Sequence, residues 1–216
     1  MSEPTVRTKG KFITLEGGEG AGKSTQVKRL VATLTAAGKD SLATREPGGA
    51  PAAEEIRRLL VKGAVDRWQP MSEVLLHNAA RIEHLTATVQ PALDAGKIVV
   101  SDRFSDSTLA YQGFGHGLDT AAITNLHWLL YKDFKPDLTL ALDLPLEESM
   151  KRARACSNGE DRYERMGKNF HERLRRGFLE IAEAEPARCV LIDATGDEES
   201  VHERIMVALR ERLDLP

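Results

Sequence analysis

Apolar runs of strand length alternate along this chain with amphipathic stretches of helix length. Five short runs enriched in Ile, Val or Leu read as strands: Phe12 to Glu16, Ser41 to Arg45, Ile98 to Asp102, Leu138 to Asp143 and Val190 to Asp193. Such runs suit a parallel sheet covered on both faces. Helical periodicity covers Lys23 to Ala37, Ala53 to Lys62, Met71 to Ala95, Asp119 to Tyr131, Leu146 to Ala155, Arg165 to Ala184 and Glu199 to Leu213. In the longest of these, Met71, Val74, Leu75, Ile82, Leu85, Val89 and Leu93 recur at helical spacing, and Pro91 is placed to bend the last turns. The alternation predicts an α/β protein of one domain over residues 1–216. Four strands end at or beside a charge, Glu16, Arg45, Asp102 and Asp143, and ligands of open parallel sheets lie at the carboxyl ends of strands.

Composition narrows the class without deciding it. The 216 residues carry 30 Lys plus Arg against 33 Asp plus Glu, a net charge of −3, which lacks the broad basic footprint of a nucleic-acid binder. Cys156 and Cys189 form neither a CxxC pair nor a framework, so reduced thiols in a reducing compartment are expected and no thiolate metal site. No apolar stretch approaches the roughly 20 residues that span a bilayer, and Met1 to Lys11 is too polar for a signal peptide. A cytoplasmic protein with no membrane and no nucleic-acid partner is the expectation.

Candidate chemistry starts directly after the first strand. Gly17, Gly18, Glu19, Gly20, Ala21, Gly22, Lys23 and Ser24 spell G-x-x-x-x-G-K-[ST], with Thr25 following as a helix opens. Strand before and helix after are the context a P-loop requires. Glycines let backbone N–H groups converge on phosphate oxygens, and the helix offers its positive N-terminus to the same anion. Lys23 adds a mobile charge, and Ser24 is suited to a magnesium ion bridging the phosphates. The expected fold is therefore the three-layer P-loop NTPase fold, a five-stranded parallel sheet flanked by helices. A regulatory GTPase would need N-K-x-D, which is absent, and an early D-x-x-G, whereas the one such string is Asp193 to Gly196. An ATPase motor would end an apolar strand in Asp-Glu, whereas Asp102 runs into Arg103. A basic residue there suggests a second anion nearby.

Arg45, Arg81 and Arg103 recur at strand ends and on the long helix, and together they read as a clamp for a phosphorylated acceptor, since guanidinium forks match phosphate oxygens. A phosphate monoester, with a second pKa of about 6, needs no strong base at neutral pH. The task is then to suppress repulsion between two anions. Lys151 to Arg162 is a basic helix end giving way to a polar, glycine-containing segment. It reads either as a lid over the triphosphate, spanning about residues 153–165, that brings an arginine to the transferring group, or as an amphipathic helix with a solvated basic face.

In order and spacing these strings resemble the bacterial thymidylate kinase family: Phe12 to Gly17 running into the P-loop, Thr44-Arg45-Glu46-Pro47-Gly48-Gly49, Arg81, Asp102-Arg103-Phe104 through Ser107 to Ala110-Tyr111-Gln112-Gly113, and Asp161-Arg162. The resemblance implies the nucleoside monophosphate kinase fold with a short lid, a homodimer, and magnesium-dependent transfer from ATP to dTMP. It implies that Gly17 to Thr25 hold ATP, with Lys23 catalytic, that Ser24 and Asp102 serve the metal, and that Thr195 and Gly196 pass adenine. Glu19 would meet the acceptor's 3′-hydroxyl, Arg45 and Arg103 its phosphate, Arg81 the thymine carbonyl, and Ser107, Thr108 and Gln112 the base. Tyr111 would discourage a ribose 2′-hydroxyl. Because Glu19 and Gly20 stand where some relatives carry a P-loop arginine, the catalytic arginine is expected from the lid, as Arg162, with Arg154 as the second where Cys156 replaces arginine. His77, four residues before Arg81 on the same helix face, stands where the family carries a phenylalanine stacked on thymine. An imidazole there introduces the expectation of weaker or pH-dependent base binding, beside the alternative of a helix-face histidine that touches no ligand.

Overall fold

Strand β1 (Lys11–Gly17) has one exposed residue followed by six buried ones, and its alternating side chains reach two separate cores. Ile13 and Leu15 pack with Val27, Leu30 and Leu34 and with Ile205 and Leu209, from helices α1 (Lys23–Ala36) and, at the chain's end, α9 (Glu198–Leu213). Phe12 packs on the other side with Val89, Leu93, Val99 and Phe104. The computed structural model, which describes residues 9–155 and 159–216, is organised by this two-sided burial. β1, β2 (Ser41–Arg45), β3 (Ile98–Asp102), β4 (Leu138–Asp143) and β5 (Cys189–Asp193) form one parallel sheet in the order β2-β3-β1-β4-β5. Each strand falls where sequence placed it, with β1 and β5 slightly longer.

Register levels the charged strand ends. Leu15 and Arg45 both pair with Asp102, Gly17 pairs with Leu142, and Asp143 with Asp193. Because every strand runs the same way, these residues meet along one edge of the sheet, flanking the loop that leaves β1.

The remaining helices are α2 (Pro51–Leu60), α3 (Pro70–His84), α4 (Gln90–Asp94), α5 (Ser105–Thr108), α6 (Thr120–Tyr131), α7 (Leu146–Ala155) and α8 (Lys168–Ala184). The long helix read from Met71 to Ala95 is not uniform. Between α3 and α4, Leu85–Val89 is a π-helical turn, in which the Gln90 N–H bonds the Leu85 carbonyl. Pro91 follows immediately, so the widened turn takes up the disturbance that a proline brings to a helix. A second π-helical stretch, Leu109–Gly115, continues α5 and had no counterpart in the periodicity. It is held by packing: Ala110 and Tyr111 are buried with Phe170, Leu174 and Phe178 of α8. Gly177 of α8 faces Phe114 so closely that a Cβ would stand 2.7 Å from its ring. α8 begins at Lys168, three residues later than read. Cys189 is a buried free thiol; Cys156, and with it the middle of the expected lid, lies outside the described residues. Among the described residues no helix is long and apolar enough to cross a membrane.

Candidate functional site

The loop from Gly17 to Gly22 turns through glycines, and the close approach is sharpest at Gly20. Its φ is +72°, and a Cβ there would lie 2.3 Å from the Ser149 carbonyl oxygen of α7. The Ser149 hydroxyl in turn donates to the Glu19 carbonyl, so α7 rests directly on the loop. α1 opens at Lys23 with Gly22 as a cap that offers no side-chain acceptor, which leaves its first N–H groups for an anion. Lys23 is 6% exposed and its Nζ donates to the Gly18 carbonyl at 2.7 Å. Burial, and after it the Arg103 charge, lower its pKa to about 8 against the pull of Glu19 and Asp102. The Ser24 hydroxyl donates to Asp102 Oδ2 across the β1–β3 boundary. These two hard oxygen donors are the kind of ligand magnesium takes.

Arg103 links this loop to the facing wall. It holds a left-handed φ of 73°, an uncommon state for a non-glycine residue that tends to persist at functional sites. Its N–H bonds the Leu15 carbonyl and the Ser101 hydroxyl donates to its carbonyl. The guanidinium donates to the Gly17 carbonyl at 2.8 Å, Ser107 Oγ at 3.1 Å, Glu19 Oε1 at 3.0 Å and the Tyr111 hydroxyl at 2.9 Å. Tyr111 itself donates to Glu19 Oε1 at 2.6 Å. Burial works to raise the Glu19 pKa, but Arg103, Lys23 and the Tyr111 hydroxyl together bring it down to about 2. Glu16, in β1 just before that loop, has the opposite balance. Burial and then Asp106 push its pKa up to about 8, despite donation from Ser107 and the Phe104 N–H.

Beyond Arg103 opens a cleft of about 620 Å³ whose wall includes Glu19, His77, Arg81, Ser107, Thr108, Tyr111 and Gln112. Seven of the residues singled out for the acceptor side thus surround one space with Arg103. Arg81 donates to Glu46 Oε2 at 2.7 Å and to Thr108 Oγ1 at 2.9 Å. Glu46 is fixed from its other oxygen by His84 Nδ1 at 2.9 Å, and His84 Nε2 meets Thr44 Oγ1 at 2.6 Å. His77 Nε2 lies 3.2 Å from the Tyr163 hydroxyl. Burial, then Arg81 and Arg103, lower its pKa to about 3, so the ring is neutral at physiological pH. That direction runs against the expectation of a titrating His77, and burial is its first cause.

Arg45 does not line the cleft. It is half-exposed at the end of β2 and held by Glu54 in a fork with contacts of 3.0 to 3.2 Å. Arg57 of α2 lines the cleft instead, held by the Pro47 carbonyl and Glu160. Arg162, expected to face the crevice from the lid, is fully buried elsewhere. Its guanidinium donates to the carbonyls of Leu60, Ala64 and Val65 and to Glu73, which occupies four of its five N–H groups away from the cleft. Arg154 is exposed on the last turn of α7. Thr195 and Gly196 lie after β5, where Arg204 bonds the Thr195 carbonyl and Arg152 of α7 the Gly196 carbonyl. Thr25 is partly exposed on the first turn of α1.

Sequence reasoning passed over Arg57, Glu46, Glu73, His84 and Tyr163. Glu46 stood inside a quoted string, and Glu73 carried only the ordinary signal of an acidic first helical turn.

Comparison with known proteins finds a match between residues 15–205 and the family model described as thymidylate kinase. A thymidylate kinase of Caulobacter vibrioides is 51% identical over 208 residues, spanning 96% of this chain and 100% of that protein. One of Gluconobacter oxydans is 50% identical over 209 residues, spanning 95% and 96%. Among solved structures, the crystal structure of thymidylate kinase from Ehrlichia chaffeensis superposes with a TM-score of 0.74 at 35% identity, covering 94% of this chain and 99% of that one.

Proposed function

The chain belongs to the thymidylate kinase family and phosphorylates dTMP to dTDP with ATP, and from that premise we propose how its residues divide the work within a single domain. ATP lies along Gly17 to Thr25 with its phosphates on the loop N–H groups and Lys23, while the loop at Thr195 and Gly196 runs past adenine. Ser24 and Asp102 hold magnesium, which when bound neutralises phosphate charge. dTMP fills the cleft: Arg81, Ser107, Thr108 and Gln112 take the base, His77 stands along its face, and Glu19 accepts from the 3′-hydroxyl. Arg103 and Arg57 of the cleft wall hold the acceptor phosphate, and Tyr111 closes the sugar's 2′ side. The contact that carries this reading is Arg103 on both Glu19 of the loop and Tyr111 of the cleft wall, since it joins donor and acceptor spaces.

Transfer needs little covalent help. An acceptor phosphate oxygen bonds the γ-phosphorus as the bond to the β–γ bridging oxygen breaks, and ADP leaves with that electron pair. The acceptor, largely dianionic at neutral pH, requires no base. Lys23 and Arg103 offset the charge that two anions bring together. With Gly20 closed off by α7, no side chain can enter from that position, so the remaining arginine comes from the lid, and exposed Arg154 fits better than buried Arg162.

The protein acts as a homodimer in the cytoplasm. Leu75 and Ile82 of α3 and Trp128 and Leu129 of α6 are 42 to 62% exposed, an apolar face suited to a second copy, and the free thiol of Cys189 suits a reducing compartment. The test is ADP release with ATP and magnesium across the 5′-monophosphates of thymidine, deoxyuridine, uridine, cytidine and adenosine. Acceleration is expected with dTMP above the others, and its loss in Lys23→Met with the fold retained. A Lys23→Met enzyme at full rate would overturn the assignment.

A further inference from the structure

Glu73, in the first turn of α3, is fully buried and surrounded by donors. Arg162 bonds Oε1; Gln112 Nε2 at 2.9 Å and the Tyr163 hydroxyl at 3.0 Å bond Oε2, and His116 Nε2 stands 3.7 Å from it. A carboxylate only accepts, so the Gln112 amide must turn its NH2 toward Glu73; the flipped amide would set two acceptors face to face. That orientation leaves Gln112 Oε1 buried in the cleft wall, without a hydrogen-bond partner among the described residues. Tyr163 is ordered the same way. Its proton goes to Glu73, so His77 Nε2 must be the donor to its oxygen.

We propose that Glu73 is a positioning residue for base specificity: by pinning the Gln112 amide it presents the cleft with an acceptor alone, selecting a base whose ring carries N3–H. Thymine and uracil carry that proton, whereas cytosine offers a lone pair at N3 and is rejected. Arg162 keeps Glu73 in place, which gives the last residues of the expected lid a share in the base site. The proposal rests on the reading of the cleft as the dTMP site.

The test is the ratio of kcat/KM for dTMP to that for dCMP. In Glu73→Gln the neighbouring amide is free to flip, and the ratio is expected to fall by about tenfold or more, with the KM for ATP unchanged. Because that variant strands the Arg162 charge, the double variant Glu73→Gln with Arg162→Met, which removes both charges, is measured beside it with circular dichroism to verify folding. An unchanged ratio in either folded variant overturns the proposal. In wild type, dTMP methylated at N3 is expected to lose at least about tenfold in kcat/KM, and equal turnover overturns it without any variant. Gln112→Leu separates the two levels. An unchanged KM for dTMP overturns the reading of the cleft, whereas a raised KM beside an unchanged Glu73→Gln ratio overturns only the part given to Glu73.

Discussion

His77 and Lys23 are titratable side chains that the cleft moves in ways their types alone do not announce. Both are bases in a site rich in cations, and both pKa values fall, to about 3 and about 8. For His77 the charge change lies below any physiological pH. From about pH 5.5 to 8 the dTMP affinities of wild type and His77→Phe are therefore expected to follow one shape, set by the acceptor's own phosphate with its pKa of about 6; profiles that diverge below pH 7 would contradict this. For Lys23 the consequence has the other sign. Polyphosphate favours the ammonium, so binding of ATP at pH 8 should take up part of a proton, and affinity should fall as pH rises above 8, by up to about tenfold per unit. Calorimetry from pH 7 to 9 checks it. Lys23→Arg, which does not titrate there, should flatten the profile.

At the scale of elements, α7 and the P-loop form one unit because Gly20 leaves room for the Ser149 carbonyl. Gly20→Ala would need both a left-handed φ for alanine and a shift of α7. It is expected to cost about 1 to 3 kcal/mol, read as a lower denaturant midpoint, and to weaken ATP binding. Local signals made much of this scale legible. Strands, P-loop and most helices follow from runs of β-branched residues, glycine spacing and 3.6-residue periodicity, all properties of neighbouring residues. The π-helical stretch Leu109–Gly115 was not legible, because Gly113 and Gly115 weaken a helical reading and Phe170 and Phe178, which hold it, lie some sixty residues onward. The surroundings of Arg162 were hidden for the same reason. A basic residue in a polar segment reads as solvent-facing, and only the folded chain brings three carbonyls and Glu73 around its guanidinium.

Over the whole molecule, the total of −3 conceals a local concentration of charge of both signs. Arg57, Arg81 and Arg103 line one cleft together with Glu19, Glu46, Glu160 and Glu164, and Lys23 stands beside it. The apolar face of α3 and α6 is the other feature on this scale. Leu75→Glu together with Trp128→Glu is expected to halve the mass seen by sedimentation equilibrium while leaving the circular dichroism unchanged, and a wild type that sediments as a monomer would refute the dimer. Arg103 has a further consequence for the order of events. Its guanidinium is shared between a carboxylate of the donor loop and a hydroxyl of the acceptor wall, so one substrate cannot engage it without altering what the other finds. ATP and dTMP should then not bind independently: whichever arrives first must change the dissociation constant of the second, and by a factor that is the same in both directions.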